Sequence, residues 1–179
     1  KEGLTKNHGY GRLEQNGKMS GLVTCEEGAF EVTPPQTPDG EWTVRQFMDW
    51  PISDISAIDI DGDGELEFAT IEAFHGEYFR IYKKIDGKFV RIFEHPEVSE
   101  FYHVVVAATL AGTPVFIGGC RRGKQQLFYI KARSTTPLEL EAVLIEAGVG
   151  PSNVHVLHEV GRDIIVAANR EKAEAALYF

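Results

Sequence analysis

The chain has 179 residues, 43% of them hydrophobic and 25% charged, with a formal net charge of -9. That composition supports one sizeable core rather than disorder, and an acidic chain with no basic run longer than Arg121–Arg122 lacks the phosphate-neutralising surface that nucleic acid needs. No apolar stretch approaches the roughly 20 residues of a membrane helix, so neither a membrane nor a nucleic acid is an expected partner.

Lys1 opens no charged-then-apolar leader, which fits either a removed signal or a piece of a longer chain. Two cysteines, Cys25 and Cys120, are too few for a disulfide framework and fall in different structural units. Unpaired, they point towards a reducing, cytoplasmic compartment.

In chain order, almost every segment reads as strand. Gly9–Glu14 and Leu22–Val32 read as the third and fourth strands of a four-stranded unit whose start is missing, spanning 1–33. A Pro-rich insertion, Pro34–Gly40, follows within 34–45. Ile52–Phe93, within 46–96, reads as a complete unit. In it, Ile55–Ile60 and Leu66–Ile71 alternate like strands, and Phe79–Lys83 and Phe89–Phe93 flank the Asp86-Gly87 pair of a tight hairpin. Tyr102–Leu144, within 97–148, is a second complete unit carrying Val104–Ala107, Val115–Ile117 and Leu127–Ile130. Val154–Phe179, within 149–179, supplies three strands of another.

The end of that last unit is contested by local propensity, because Arg170–Leu177 is rich in Ala and Glu and favours helix. The repeat overrules it. Gly112–Ile130 lies without a gap over Gly161–Phe179, so that Arg121 meets Arg170 and Tyr129 meets Tyr178. Glu65–Tyr82 gives a third copy, with Gly76 meeting Gly123, and Ser56, His103 and His155 stand at the same place in each unit. A period near 50 residues with about four short strands each predicts the blades of an all-β propeller. Strand is therefore expected over Lys172–Phe179. The chain holds about three and a half blades of one domain, and further blades or another chain are expected to close the ring.

The most specific chemical signal is Asp59-Ile60-Asp61-Gly62-Asp63-Gly64-Glu65-Leu66-Glu67. Oxygens at alternate positions of such a loop wrap a hard cation, and Gly at the sixth position permits the turn. The ligand set is Asp59, Asp61, Asp63, the Glu65 carbonyl and Glu67, with a plain polar hairpin turn as the alternative. An EF-hand is excluded, since Thr70 stands where its bidentate Glu belongs and the flanks read as strands. Strand, Asp-rich loop, strand resembles the FG-GAP or VCBS repeat of integrin-like and bacterial propellers. The resemblance implies one structural Ca²⁺ between the first two strands of a blade, and an extracytoplasmic setting that opposes the cysteine argument. It covers the loop closely and the other blades loosely.

In a propeller, loops between second and third strands share a face with the links between blades. Asn7-His8-Gly9, Phe74-His75-Gly76, Arg121-Arg122-Gly123-Lys124 and Asn169-Arg170 are such loops, and the links end near His103 and His155. His8, His75, His103, Arg121, Arg122, His155 and Arg170 are therefore expected to gather near the axis, as a site for a carbohydrate or an anionic small molecule. Ordinary loop polarity is the competing explanation. The leading reading is a non-catalytic, calcium-stabilised binding module. The alternative is a carbohydrate-active propeller enzyme, such as a polysaccharide lyase, in which His and Arg neutralise a uronate and abstract a proton. Gly118–Lys124 mimics a P-loop, but Gln125 replaces the hydroxyl residue and a strand follows, so phosphate binding is rejected.

Overall fold

The structure, a computed structural model, describes residues 1–15 and 17–179. It is all-β, with fifteen strands and one short 3₁₀ turn among the described residues. Blade 1 comprises β1 (Tyr10–Gln15), β2 (Lys18–Cys25), β3 (Gly28–Thr33) and β4 (Thr43–Met48). Blade 2 comprises β5 (Asp54–Ile58), β6 (Glu67–Glu72), β7 (Tyr78–Ile85) and β8 (Lys88–Glu94). Blade 3 comprises β9 (Tyr102–Leu110), β10 (Thr113–Cys120), β11 (Leu127–Thr135) and β12 (Leu138–Glu146). The fourth blade has three strands, β13 (Pro151–Glu159), β14 (Arg162–Asn169) and β15 (Glu174–Tyr178).

Each sheet is an antiparallel meander in chain order, and the first strands β1, β5, β9 and β13 lie side by side around a common axis. This is a four-blade β-propeller arrangement. The tight turns are chemical necessities at their positions. Asp86-Gly87 adopts φ of 49° and 80°, the pair of positive values that matches the twist of a two-residue hairpin.

The blades are held by three apolar layers, one between each consecutive pair. Leu13, Leu22, Met48, Ile52 and Ile55 join blades 1 and 2, and Ile71, Phe79, Tyr102, Phe116 and Phe128 join blades 2 and 3. Val115, Ile117, Leu127, Val156 and Ile165 join blades 3 and 4. Fully burying each such side chain contributes about 1.5–3 kcal/mol. Among the described residues no such layer joins blade 4 back to blade 1. Tyr10 and Trp42 in blade 1 and Leu157 and Leu177 in blade 4 stay exposed.

Two segments settle differently from, or in favour of, the sequence reading. Gly9–Glu14 and Leu22–Val32 are not third and fourth strands of a truncated unit: they supply β1, the end of β2, and β3 of a four-stranded blade. The apolar run Leu22–Val32 hides a hairpin in which Cys25 pairs with Gly28 across Glu26 and Glu27. Gly28 has φ of 128°, and a Cβ there would lie 2.1 Å from the Met48 carbonyl oxygen. The supposed insertion leads into β4, which straddles the boundary drawn at residue 45. At the other end the repeat argument holds against helix propensity. After the single turn Arg170–Lys172, residues Glu174–Tyr178 form β15 and pair with β14. Cys25 and Cys120 are both buried and unbonded.

Candidate functional site

The axial face is built by segments that leave the same end of each blade. His8 precedes β1, His75 lies between β6 and β7, and His103 sits in β9 at its start. Their rings form one cluster. His75 and His103 stack with centroids 5.3 Å apart at 6°, and His8 meets His75 edge-on at 4.5 Å and 80°. Nitrogen atoms of all three lie within 4.8 Å of one another. Phe101 stacks on His75 at 4.6 Å, and Phe74 lies 4.2 Å from the same ring.

Hydrogen bonding distinguishes the three imidazoles. His103 Nδ1 is 2.9 Å from the Ser152 carbonyl oxygen and donates to it, which leaves Nε2 bare. His75 Nδ1 is buried without a partner among the described residues. Burial, then the neighbouring His8, His103 and Arg121, push the His75 pKa down to about 4. The ring is therefore neutral at physiological pH.

Phe101 is also the hinge between the histidines and the arginines. The Arg121 and Arg122 guanidinium carbons lie 5.0 Å and 5.6 Å from its ring centroid. Arg121, Arg122 and Arg170 line a cleft of about 330 Å³ with Phe101, Gln125 and Glu171. Glu171 Oε1 accepts from Arg121 at 3.4 Å, and it is the one carboxylate facing three arginines there. Arg121 Nε is buried and has no acceptor among the described residues. The cleft can therefore neutralise and hydrogen-bond an anion.

Six of the seven residues expected on this face thus come together. His155 does not join them. Its neighbours Val154 and Val156 pack towards blade 3, so strand alternation turns the exposed His155 to the opposite side of blade 4. His8 reaches the face despite the shifted blade register, because strands two apart run the same way and begin at the same end. Sequence reasoning missed Phe101, Gln125 and Glu171; only the alternation of Phe101 with His103 could have signalled the first.

The acidic loop lies at the other end of β6, between β5 and β6, while His75 follows β6. Asp59 accepts from the backbone N–H groups of Gly62, Asp63 and Gly64 and shapes the turn. Asp61, Asp63 and Glu67 converge on Lys83, whose Nζ lies 2.8, 2.8 and 2.6 Å from their oxygens. Burial would lower the Lys83 pKa, but the three carboxylates outweigh it and hold it raised. Their oxygens suit a hard cation, and the Lys83 ammonium stands where they meet.

One inner-strand carboxyl has no cation partner among the described residues. Asp54, at the start of β5, accepts from the Ile55 N–H at 2.9 Å, and burial pushes its pKa up to about 7. Its unfolded value is about 3.9, so the folded state binds the extra proton between about pH 4 and 7. Stability is thus expected to fall across that window by at most about 4 kcal/mol and to level off above it. Urea unfolding of the wild type and Asp54→Asn should show the slope in the first and its loss in the second; parallel curves would deny Asp54 the role.

The fold defines the protein as a β-propeller. No family model matches the sequence, and no curated protein matches it either.

Proposed function

We propose that the protein is a non-catalytic propeller module that binds a carboxylate-bearing ligand, of the acidic-sugar kind, on its axial face. The observation that carries this reading is the cleft of Arg121, Arg122 and Arg170 around Phe101, three cations against Glu171 in a chain of net charge -9. Guanidinium groups match a carboxylate in two parallel hydrogen bonds, and Phe101, with Arg121 and Arg122 over its ring, holds two of the three beside the cleft.

A uronic-acid oligosaccharide should bind in calorimetric titration, and its carboxyl-reduced, neutral counterpart should not. Pairing Arg122→Ala with Arg170→Ala should weaken binding by about 10-fold to 100-fold, since hydrogen bonds to charged groups contribute about 1.5–3 kcal/mol. Equal binding of the acidic and neutral sugars, or no binding of either, overturns the reading. The lyase alternative draws on His75, whose neutral ring beside the arginines could accept a proton. Accumulation of unsaturated uronate products would favour it.

We also propose that the Asp59–Glu67 loop takes Ca²⁺ in the manner of an FG-GAP repeat, with Asp59, Asp61, Asp63, the Glu65 carbonyl and Glu67 as ligands. The converging carboxylates support this, and Lys83 adds a condition. The ion and the ammonium cannot share one position, so calcium binding requires Lys83 to swing aside.

A further inference from the structure

We propose that His8, His75 and His103 together hold one divalent transition-metal ion of the zinc class on the axial face. The site is separate from the acidic loop, and its three ligands are distinct from the cleft arginines, although it shares the Phe101 wall with them.

Three blades contribute one imidazole each: His8 ahead of blade 1, His75 from the second and His103 from the third. Sequence separations of 67 (75 − 8) and 28 (103 − 75) residues mean that no local turn brings them together; the propeller itself does. Their nitrogens already lie within 4.8 Å of one another. Tetrahedral zinc with Zn–N near 2.0–2.1 Å sets its nitrogen ligands about 3.4 Å apart, so His75 and His103 must turn out of their parallel stack for the three nitrogens to close on one ion.

The surroundings favour a metal over a chance pile of rings. The Ser152 carbonyl takes the His103 Nδ1 proton at 2.9 Å, which fixes the tautomer with Nε2 free to ligate. A second bond of this kind from the non-ligating nitrogen is the usual companion of a metal-bound histidine. His75 carries the converse signal, a buried Nδ1 without a hydrogen-bond partner among the described residues. No Asp or Glu belongs to the cluster, so the donors are imidazole only. That set selects zinc, cobalt, nickel or copper, whereas calcium and magnesium require oxygen donors. Three protein ligands leave one coordination position open, as in zinc sites that bind an exogenous group.

The walls are aromatic. Phe101 stacks on His75 and, with centroids 5.6 Å apart, on His103, and Phe74 closes the side of His8 at 5.5 Å. Arg121 lies over Phe101, with its guanidinium carbon 5.0 Å from the ring centroid, and supplies a cation next to the cluster. An anion such as hydroxide or a carboxylate is therefore the fitting fourth ligand.

The test uses the untagged full chain after chelator treatment, titrated with Co²⁺ as a spectroscopic stand-in for zinc. One equivalent should give the visible d–d bands of a tetrahedral nitrogen site, and Zn²⁺ should displace it. His8→Ala should weaken Co²⁺ binding by at least about 10-fold to 100-fold. His8 is exposed and precedes the first strand, so this variant keeps the core intact. His103→Ala should do the same, with folding checked by near-ultraviolet circular dichroism. Asp61→Asn should leave the Co²⁺ stoichiometry unchanged, which separates this centre from the acidic loop. Absence of the visible bands, or bands and affinity that survive His8→Ala, would overturn the assignment.

Discussion

Replacing Lys83 with methionine is expected to make the fold depend on added calcium. Glu67 is fully buried and Asp61 nearly so, and both rest on the Lys83 ammonium. Burial also pushes the Glu67 pKa upward in spite of that ion pair, a sign of how much its charge costs in this position. Methionine keeps the length of the side chain and removes the charge, so the two carboxylates lose their counter-ion. Breaking a buried pair in this way costs about 3–5 kcal/mol. In chelator, Lys83→Met should therefore melt well below the wild type. In millimolar calcium most of the loss should return, because the ion enters the place that the ammonium has left. The wild type should gain less from calcium, since binding there must first displace Lys83. Scanning calorimetry of both proteins in chelator and in calcium checks this. Equal losses for the variant in both buffers would sink the calcium proposal, and no loss in chelator would show that Lys83 is not the counter-ion.

A second large effect is expected at Arg80. The Glu72 carboxylate at the end of β6 is buried and accepts from Trp50 Nε1 at 3.0 Å, Thr70 Oγ1 at 2.8 Å and Arg80 at 2.6 Å. Tyr82 donates a longer bond at 3.3 Å, and Arg80 also bonds Glu94 and lies 4.2 Å from the Tyr78 ring centroid. Arg80→Met leaves the Glu72 charge with neutral donors only, at a cost of about 3–5 kcal/mol in denaturant unfolding. Adding Glu72→Gln should recover a substantial part, since an amide carries no charge to compensate; a double variant no better than the single would point to lost packing instead. The consequence reaches the axial face. Glu72 immediately precedes Ala73-Phe74-His75, so the network anchors the loop that carries His75. Co²⁺ binding should weaken in Arg80→Met even under conditions where the variant is folded.

The two predictions exploit different geometries of one strand. At the start of β6 its carboxylate meets a lysine, and at its end a carboxylate meets an arginine, both from β7. Blade 2 thus places an acidic residue at each end of its second strand and pins both with cations from the third. The acidic loop and the histidine loop leave opposite ends of this strand, on the order of 17 Å apart at 3.4 Å per residue.

Some of this was legible in the sequence because the signals are local or periodic. A repeat near 50 residues dictates equivalent strands, so it could overrule the helical propensity of Arg170–Leu177. Asp86-Gly87 specifies its own hairpin, and the spacing of Asp59, Asp61 and Asp63 specifies a carboxylate-lined turn. The parity of strand direction likewise placed six of the seven His and Arg residues on one face. What the sequence did not resolve depends on pairing and facing. Lys83 meets Glu67 because β6 and β7 pair in that register, and a single-residue shift would have turned Lys83 to the other side of the blade. The hairpin inside Leu22–Val32 is decided by Gly28 packing under Met48, a contact between residues 20 positions apart (48 − 28). The alignment of His155 with His103 does not survive the pairing: Tyr102 faces Cys120 as Pro151 faces Asn169, so Ser152 stands where His103 does. His155, opposite Val166, takes the place of Val106 on the other side of the strand. The histidine cluster is the clearest case. Each imidazole is an ordinary loop or strand-end residue by itself, and only the packing of three blades around one axis brings their nitrogens within reach of a single ion.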